Sequence, residues 1–242
     1  MPDISLPTVL AVETSTVACS VALIHHGKVY NRHEILPQKH AHRLLEMVDD
    51  VMAESELTSA DISLLAFGEG PGAFTGIRIA SGVIQGLAIG WDKPVVAISS
   101  LHAMALATLT DQVCLNQQAW CALLDARMNE VYCLTGSYTT EGLCVTDGEP
   151  RLLSPELALA VVSEIKGCCG VGDIKKEYPL ITLACSQWHD SLPNAVEIAK
   201  LAQLSVGSAK TLEQAVPSPL YLRNHVADTI AERKLKQQSK AD

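Results

Sequence analysis

Residues 10–24 read LAVETSTVACSVALI: an apolar run, an acidic residue at a turn with three hydroxyl neighbours, and a second apolar run that returns. Outward from it, VLAV, ACSVALI and KVYNRHEI predict a three-strand meander over residues 8–33, because β-branched residues favour strands and His25-His26-Gly27 suits a hairpin turn. The pattern recurs in the second half. Residues 119–124 are apolar, Asp125 ends them, and residues 130–138 alternate like an outgoing strand. Glu13 and Asp125 lie about 112 residues apart. This spacing predicts an α/β protein with a duplicated lobe: residues 1–110, residues 111–223, and a basic tail at 224–242. The linker is expected near residues 110–118.

The 242 residues are 48% hydrophobic and 19% charged, which excludes disorder. The net charge of −9 opposes binding to phosphate backbones and anionic membranes. Only the tail around Arg233, Lys234, Lys236 and Lys240 offers a basic patch, and it reads as a solvated terminus. The first 27 residues hold no Lys or Arg, unlike a signal or transit peptide. The uncharged stretch 94–110 is too polar for a membrane span. A soluble cytoplasmic protein is expected. Cysteines stand at 19, 114, 121, 133, 144, 168, 169 and 185, with no CxxC pair, so they read as buried thiols and no metal site is expected.

Two turns carry candidate chemistry. Glu13 could hold a metal-bound water while Thr14, Ser15 and Thr16 approach phosphate oxygens; the alternative is a polar turn whose hydroxyls serve the backbone. Asp125 is the matching acid, but its turn lacks glycine and hydroxyls. The stretch GEGPGAFTGIR at 68–78 follows an expected strand at 62–67 and precedes a helix, so its amides could receive an anion or simply pack tightly. It matches neither GxxxxGK[ST] nor GxGxxG. His40, His42 and His102 read as ordinary surface or core histidines.

The helices are informative in a different way. Over residues 40–54, Leu44, Leu45, Val48, Val51 and Met52 share a face that Met47 widens to roughly 160°. In the next helix Gly82, Gly86 and Gly90 recur along one stripe, opposite Ile77, Ala80, Ile84, Leu87 and Ala88, with Arg78, Ser81 and Gln85 in a narrow polar sector. The excess apolar surface and the glycines predict a helix-to-helix protein interface made by Leu44, Leu45, Met47, Val48, Val51, Gly72, Phe74, Arg78, Gly82 and Gly86. Packing between two helices of one lobe is the alternative. Further helices are expected at 101–109, 155–165 and 194–205.

Four stretches, LAVETSTVACSVAL at 10–23, GPGAFTGIRIASGVIQGLA at 70–88, LLDARMNEVY at 123–132 and PLYLR at 219–223, resemble the TsaB (YeaZ) family in order and spacing. The resemblance implies a two-lobed actin, sugar kinase and Hsp70 ATPase-like (ASKHA) fold built from duplicated RNase H-like domains. It implies a place in making N6-threonylcarbamoyladenosine (t6A) beside the tRNA anticodon. In that scheme TsaC makes threonylcarbamoyl-adenylate, TsaD transfers the group to adenosine, and TsaB is TsaD's non-catalytic dimer partner, joined by the ATPase TsaE. Alone, such a chain is expected to pair with itself. No intrinsic cofactor is implied; ATP or ADP and metal belong to partner subunits or to the complex interface, and tRNA is met only indirectly. TsaD-like proteins carry an HxxxH metal pair after a strand like residues 94–98, where this chain has Ser100 and Met104. A hydroxyl and a thioether cannot replace two imidazoles. The alternative within the same fold is a free-standing small-molecule kinase using Glu13 and Asp125 around Mg-ATP. A metallopeptidase would need a metal site that the sequence does not assemble.

Overall fold

The first strand, β1 (Val9–Glu13), is buried along its whole length. Leu10 and Val12 enter one apolar cluster and Val9 and Ala11 another, so a strand alternating between two faces is covered on both. This computed structural model describes residues 6–37, 39–110, 118–139 and 143–223. Beside β1 lie β2 (Ala18–His25) and β3 (Lys28–Ile35), both antiparallel, and then β4 (Leu64–Gly70) and β5 (Val95–Ser99), both parallel, in the order β3-β2-β1-β4-β5. His26 and Gly27 turn the β2–β3 hairpin at φ 47° and 78°, where the glycine suits the left-handed backbone. Helices α1 (His40–Ser55) and α2 (Phe74–Trp91) cover one face of this sheet, with Leu44, Met47, Val51, Ala80 and Ile84 packed on Leu10, Val12 and Phe67.

The same plan follows a second time. β6 (Ala119–Arg127) pairs antiparallel with β7 (Glu130–Tyr138), and β7 with the short β8 (Cys144–Thr146) and β9 (Arg151–Leu153). β10 (Cys169–Gly172) and β11 (Gln187–Asp190) continue in parallel on the other side of β6, giving β11-β10-β6-β7-β8. Read from β8, this repeats the order of the first sheet, as duplicated RNase H-like lobes of an ASKHA fold require. α4 (Pro155–Glu164) starts from a Ser154 cap, whose hydroxyl accepts from the Leu157 amide, and with α5 (Pro179–Ala184) it covers one face.

The last helix of each repeat lies at the junction. α3 (Ser100–Thr110) packs Leu101, Met104 and Ala105 on Trp120 and Ala122 of the second sheet. α6 (Ala195–Leu204) packs its small residues Ala195, Ala199 and Ala202, with Ile198, on Val9, Ala11, Leu64 and Ala66 of the first. The expected boundary at 110/111 therefore separates the strands of the two sheets, while the chain after residue 194 returns to the first. The expected linker and the basic tail fall almost wholly outside the described residues. Among those described, no helix is long and apolar enough to cross a membrane.

Candidate functional site

The β1–β2 turn, the loop before α2 and the β6–β7 turn face one another across a cleft of about 830 Å³, lined by Ser15, Thr16, Phe74, Asp125, Asp173 and Arg223 among others. Three glycines let the two sides of the first lobe close on each other. A Cβ on Gly72 would lie 2.3 Å from the Ser15 carbonyl oxygen, and one on Gly76 2.0 Å from that of Thr14. A Cβ on Gly68 would lie 1.8 Å from Glu13 Oε2. The Ala73 amide donates to the Ser15 carbonyl at 2.7 Å, fixing the loop to the turn. The glycines of 68–78 thus serve close backbone approach within the lobe.

Glu13 does not reach the cleft as the phosphate reading requires. Its carboxylate is 1% exposed, with Oε1 accepting from the Ser15 amide at 2.5 Å and Oε2 from the Ser100 hydroxyl at 2.6 Å. Burial raises its pKa above the ordinary carboxylate value, against the lowering effect of those hydrogen bonds. Thr14 is also buried, donating its hydroxyl to the Gly76 carbonyl at 2.8 Å. Ser15 lines the cleft, and its buried Oγ has no hydrogen-bond partner among the described residues. Asp125 lines the opposite wall but is engaged by Arg127, whose amide donates to Oδ1 at 2.8 Å and whose guanidinium pairs with Oδ2 at 2.9 Å. Of the four predicted residues, Ser15 and Asp125 line the cleft, while Glu13 and Thr14 are sealed beneath it.

Ser100 and Met104, which the resemblance sets where a metal-binding histidine pair is expected, do not fit a metal. The Ser100 hydroxyl is given to Glu13, and Met104 is fully buried in the second lobe's core. His102 stacks on Trp120 at 6.1 Å and donates Nε2–H to the Cys144 carbonyl at 2.9 Å. Burial lowers its pKa, so it is a neutral core histidine. His40 is likewise buried, 3.4 Å from the Val17 carbonyl.

The predicted interface residues divide. Leu44, Met47, Val48 and Val51 are at most 2% exposed and belong to the first lobe's core, which corrects their assignment to a partner surface. A helix seated between a sheet and a second helix needs the wide apolar arc for itself. Leu45 instead points outward at 51% exposure. Gly72 serves the Ser15 contact described above. Arg78 lies 3.7 Å over the Phe74 ring and donates to the Tyr221 hydroxyl at 2.8 Å, so it holds the chain's own PLYLR segment. Ser81 and Gln85 donate to the Pro217 carbonyl at 2.9 and 2.6 Å, completing the use of that polar sector. The segment then crosses to the second lobe, where Arg223 binds Glu130 and the Ala126 carbonyl. Gly82, Gly86 and Gly90 lie on the outer face of α2, where among the described residues nothing beyond the helix's own neighbouring backbone would come within 4 Å of an added Cβ.

Sequence reasoning missed two features. One is the Ser100–Glu13 pair, joined across 87 residues. The other concerns the cysteines: Cys121, Cys168 and Cys185 converge in the second lobe, and Cys169 is disulfide-bonded, contrary to its expected free state. Residue spacing carries no signal for either, because tertiary packing between elements far apart in the chain brings these positions together.

Comparison with known proteins agrees with this architecture. The tRNA N6-adenosine threonylcarbamoyltransferase family TsaD matches residues 29–150. The tRNA threonylcarbamoyladenosine biosynthesis protein TsaB of Haemophilus influenzae is 37% identical over 229 residues, spanning 90% of this chain and 94% of its own. Its Escherichia coli counterpart is 34% identical, over 90% and 96%. The solved structure of YeaZ from Pseudomonas aeruginosa, 36% identical, superposes with a TM-score of 0.79 over 90% of this chain and all of its own.

Proposed function

Because the chain belongs to the TsaB (YeaZ) family, and with it to t6A biosynthesis, we propose that it is a non-catalytic scaffold and activator of threonylcarbamoyl transfer to tRNA. It docks on TsaD through the outer faces of α1 and α2, recruits TsaE, pairs with itself when isolated, and works in the cytoplasm. It brings no cofactor to the transfer step; ATP or ADP and metal reside on the partners or at the complex interface. A net charge of −9 favours leaving tRNA to a partner.

The observation that carries this reading is the bare stripe on α2. Each glycine inside a helix costs about 1 kcal/mol relative to alanine, and here nothing among the described residues needs the missing Cβ. Phe74 and Ile89 on the same helix, and Leu45 on α1, stand exposed at 46%, 73% and 51%, so exposed apolar side chains accompany the close-approach stripe. The kinase alternative loses ground because Glu13 is sealed under Gly68 and Ser100.

Gly82→Leu and Gly86→Leu test the docking face. Each variant is expected to stay folded by circular dichroism and gel filtration, yet to abolish t6A formation when TsaC, TsaD, TsaE and tRNA are supplied. Gly82→Ala is the milder control, expected to raise thermal stability while weakening TsaD binding. Full modification by a folded Gly82→Leu variant would place the docking surface elsewhere.

A further inference from the structure

Three sulfurs that the docking role leaves unused meet in the second lobe. Cys121 stands on β6, Cys168 immediately precedes β10, and Cys185 caps the C-terminus of α5. The Sγ atoms of Cys168 and Cys121 are 3.1 Å apart, those of Cys121 and Cys185 3.8 Å, and all three lie within 4.8 Å of one another. All three are free thiols; Cys121 and Cys168 are buried and Cys185 is half-buried. The backbone makes room for the group, because a Cβ on Gly170 would lie 2.4 Å from Cys185 Sγ and 2.6 Å from the Trp188 ring. Val162, Ile174 and Ile181 belong to the apolar cluster around them.

An S–H group is a weak donor, so mutual hydrogen bonding gives three sulfurs little reason to converge in an apolar wall. A metal gives a strong one. Four sulfurs around Zn²⁺ at about 2.3 Å would stand about 3.8 Å apart, the Cys121–Cys185 spacing, and the Cys168–Cys121 pair would open by about 0.7 Å. All-sulfur donor sets select soft ions over Mg²⁺ or Ca²⁺.

We propose that Cys121, Cys168 and Cys185 bind one thiophilic d10 metal ion, Zn²⁺ or Cu⁺, as three thiolates. Any fourth ligand enters from the half-open side of Cys185. The ion ties the β10–α5–β11 corner to the central strand β6 and stands apart from the α2 face. Its failure would therefore leave the docking reading intact, and the reverse also holds.

The test uses full-length protein, reduced and handled without oxygen, titrated in separate arms with Zn²⁺ and Cu⁺. One equivalent is expected to survive gel filtration by elemental analysis in at least one arm, and the arm identifies the ion. Cys185→Ser, the substitution nearest solvent, is expected to bind at least on the order of 10- to 100-fold more weakly. Cys144→Ser, outside the cluster, is expected to bind as the parent does. A second measurement needs no variant: bound metal should slow alkylation of Cys185, the half-buried member, followed by mass spectrometry. Retention of neither ion, or equal retention by Cys185→Ser, overturns the proposal, as does a rate of Cys185 alkylation that bound metal leaves unchanged.

Discussion

Replacing Glu13 separates a structural carboxylate from a catalytic one. In Glu13→Gln the side chain keeps its shape; its carbonyl oxygen can accept from the Ser15 amide, and its NH₂ can donate to the Ser100 hydroxyl, which accepts as readily as it donates. In Glu13→Ala both groups lose their partner in a buried site, at about 1–3 kcal/mol for each unsatisfied group, partly offset by removing a desolvated carboxylate. A net loss of about 2–3 kcal/mol is expected for the alanine variant, a fall in melting temperature of roughly 5–10 °C for a chain this long. Glu13→Gln should stay within about 1 kcal/mol of the parent. The two also differ with pH. Because the folded pKa of Glu13 is raised, the folded state holds the proton longer than the unfolded chain. This contribution is complete below about pH 4.5 and is lost as pH rises through the folded value. The stability gap between Glu13→Gln and the parent should therefore move in favour of the glutamine variant above that pH. Urea unfolding of the three proteins from pH 4 to 8 measures this. If Glu13→Gln is as unstable as Glu13→Ala, or if the gap ignores pH, the sealed-carboxylate account is wrong.

Other consequences are accessible to the same methods. Gly68→Ala should cost about 1–3 kcal/mol because its Cβ would lie 1.8 Å from Glu13 Oε2, and the cost should shrink in a Glu13→Ala background, a coupling that a double-mutant cycle reads directly. Arg223→Ala removes the link to Glu130 and the Ala126 carbonyl; limited proteolysis should then show faster cleavage around residues 217–223, while thermal unfolding of the whole falls only slightly. Gly90→Ala, with open space at its Cβ, should stabilise the isolated chain by about 1 kcal/mol in chemical denaturation.

Much of the fold was legible because its signals are local. The acidic-tipped hairpins at Glu13 and Asp125, each an apolar run ending in an acid at a turn and a returning strand, mark the central strand pair of each sheet, and both sheets repeat one order. The strands β8, β9 and β11 escaped because three or four partly exposed residues carry no periodicity. The site was harder to read. An apolar arc on α1 reports burial without saying against what: Leu44, Met47, Val48 and Val51, expected at a partner, face the sheet of their own lobe. The α2 glycines were more informative, since a helix tolerates them only at some cost. Glu13 had the right chemistry for phosphate work, but whether a carboxylate faces a cleft depends on a hydroxyl 87 residues away.

The central claim is that the chain acts by docking and performs no chemistry. The most direct measurement is the rate of t6A formation on tRNA with TsaC, TsaD and TsaE held fixed and this chain titrated in, as the parent and as Glu13→Gln. The account predicts that both proteins raise the rate to the same plateau, reached near one chain per TsaD, and that neither forms t6A without TsaD. A folded Glu13→Gln protein that binds TsaD normally yet supports no modification would contradict it, as would t6A made by the chain in TsaD's absence.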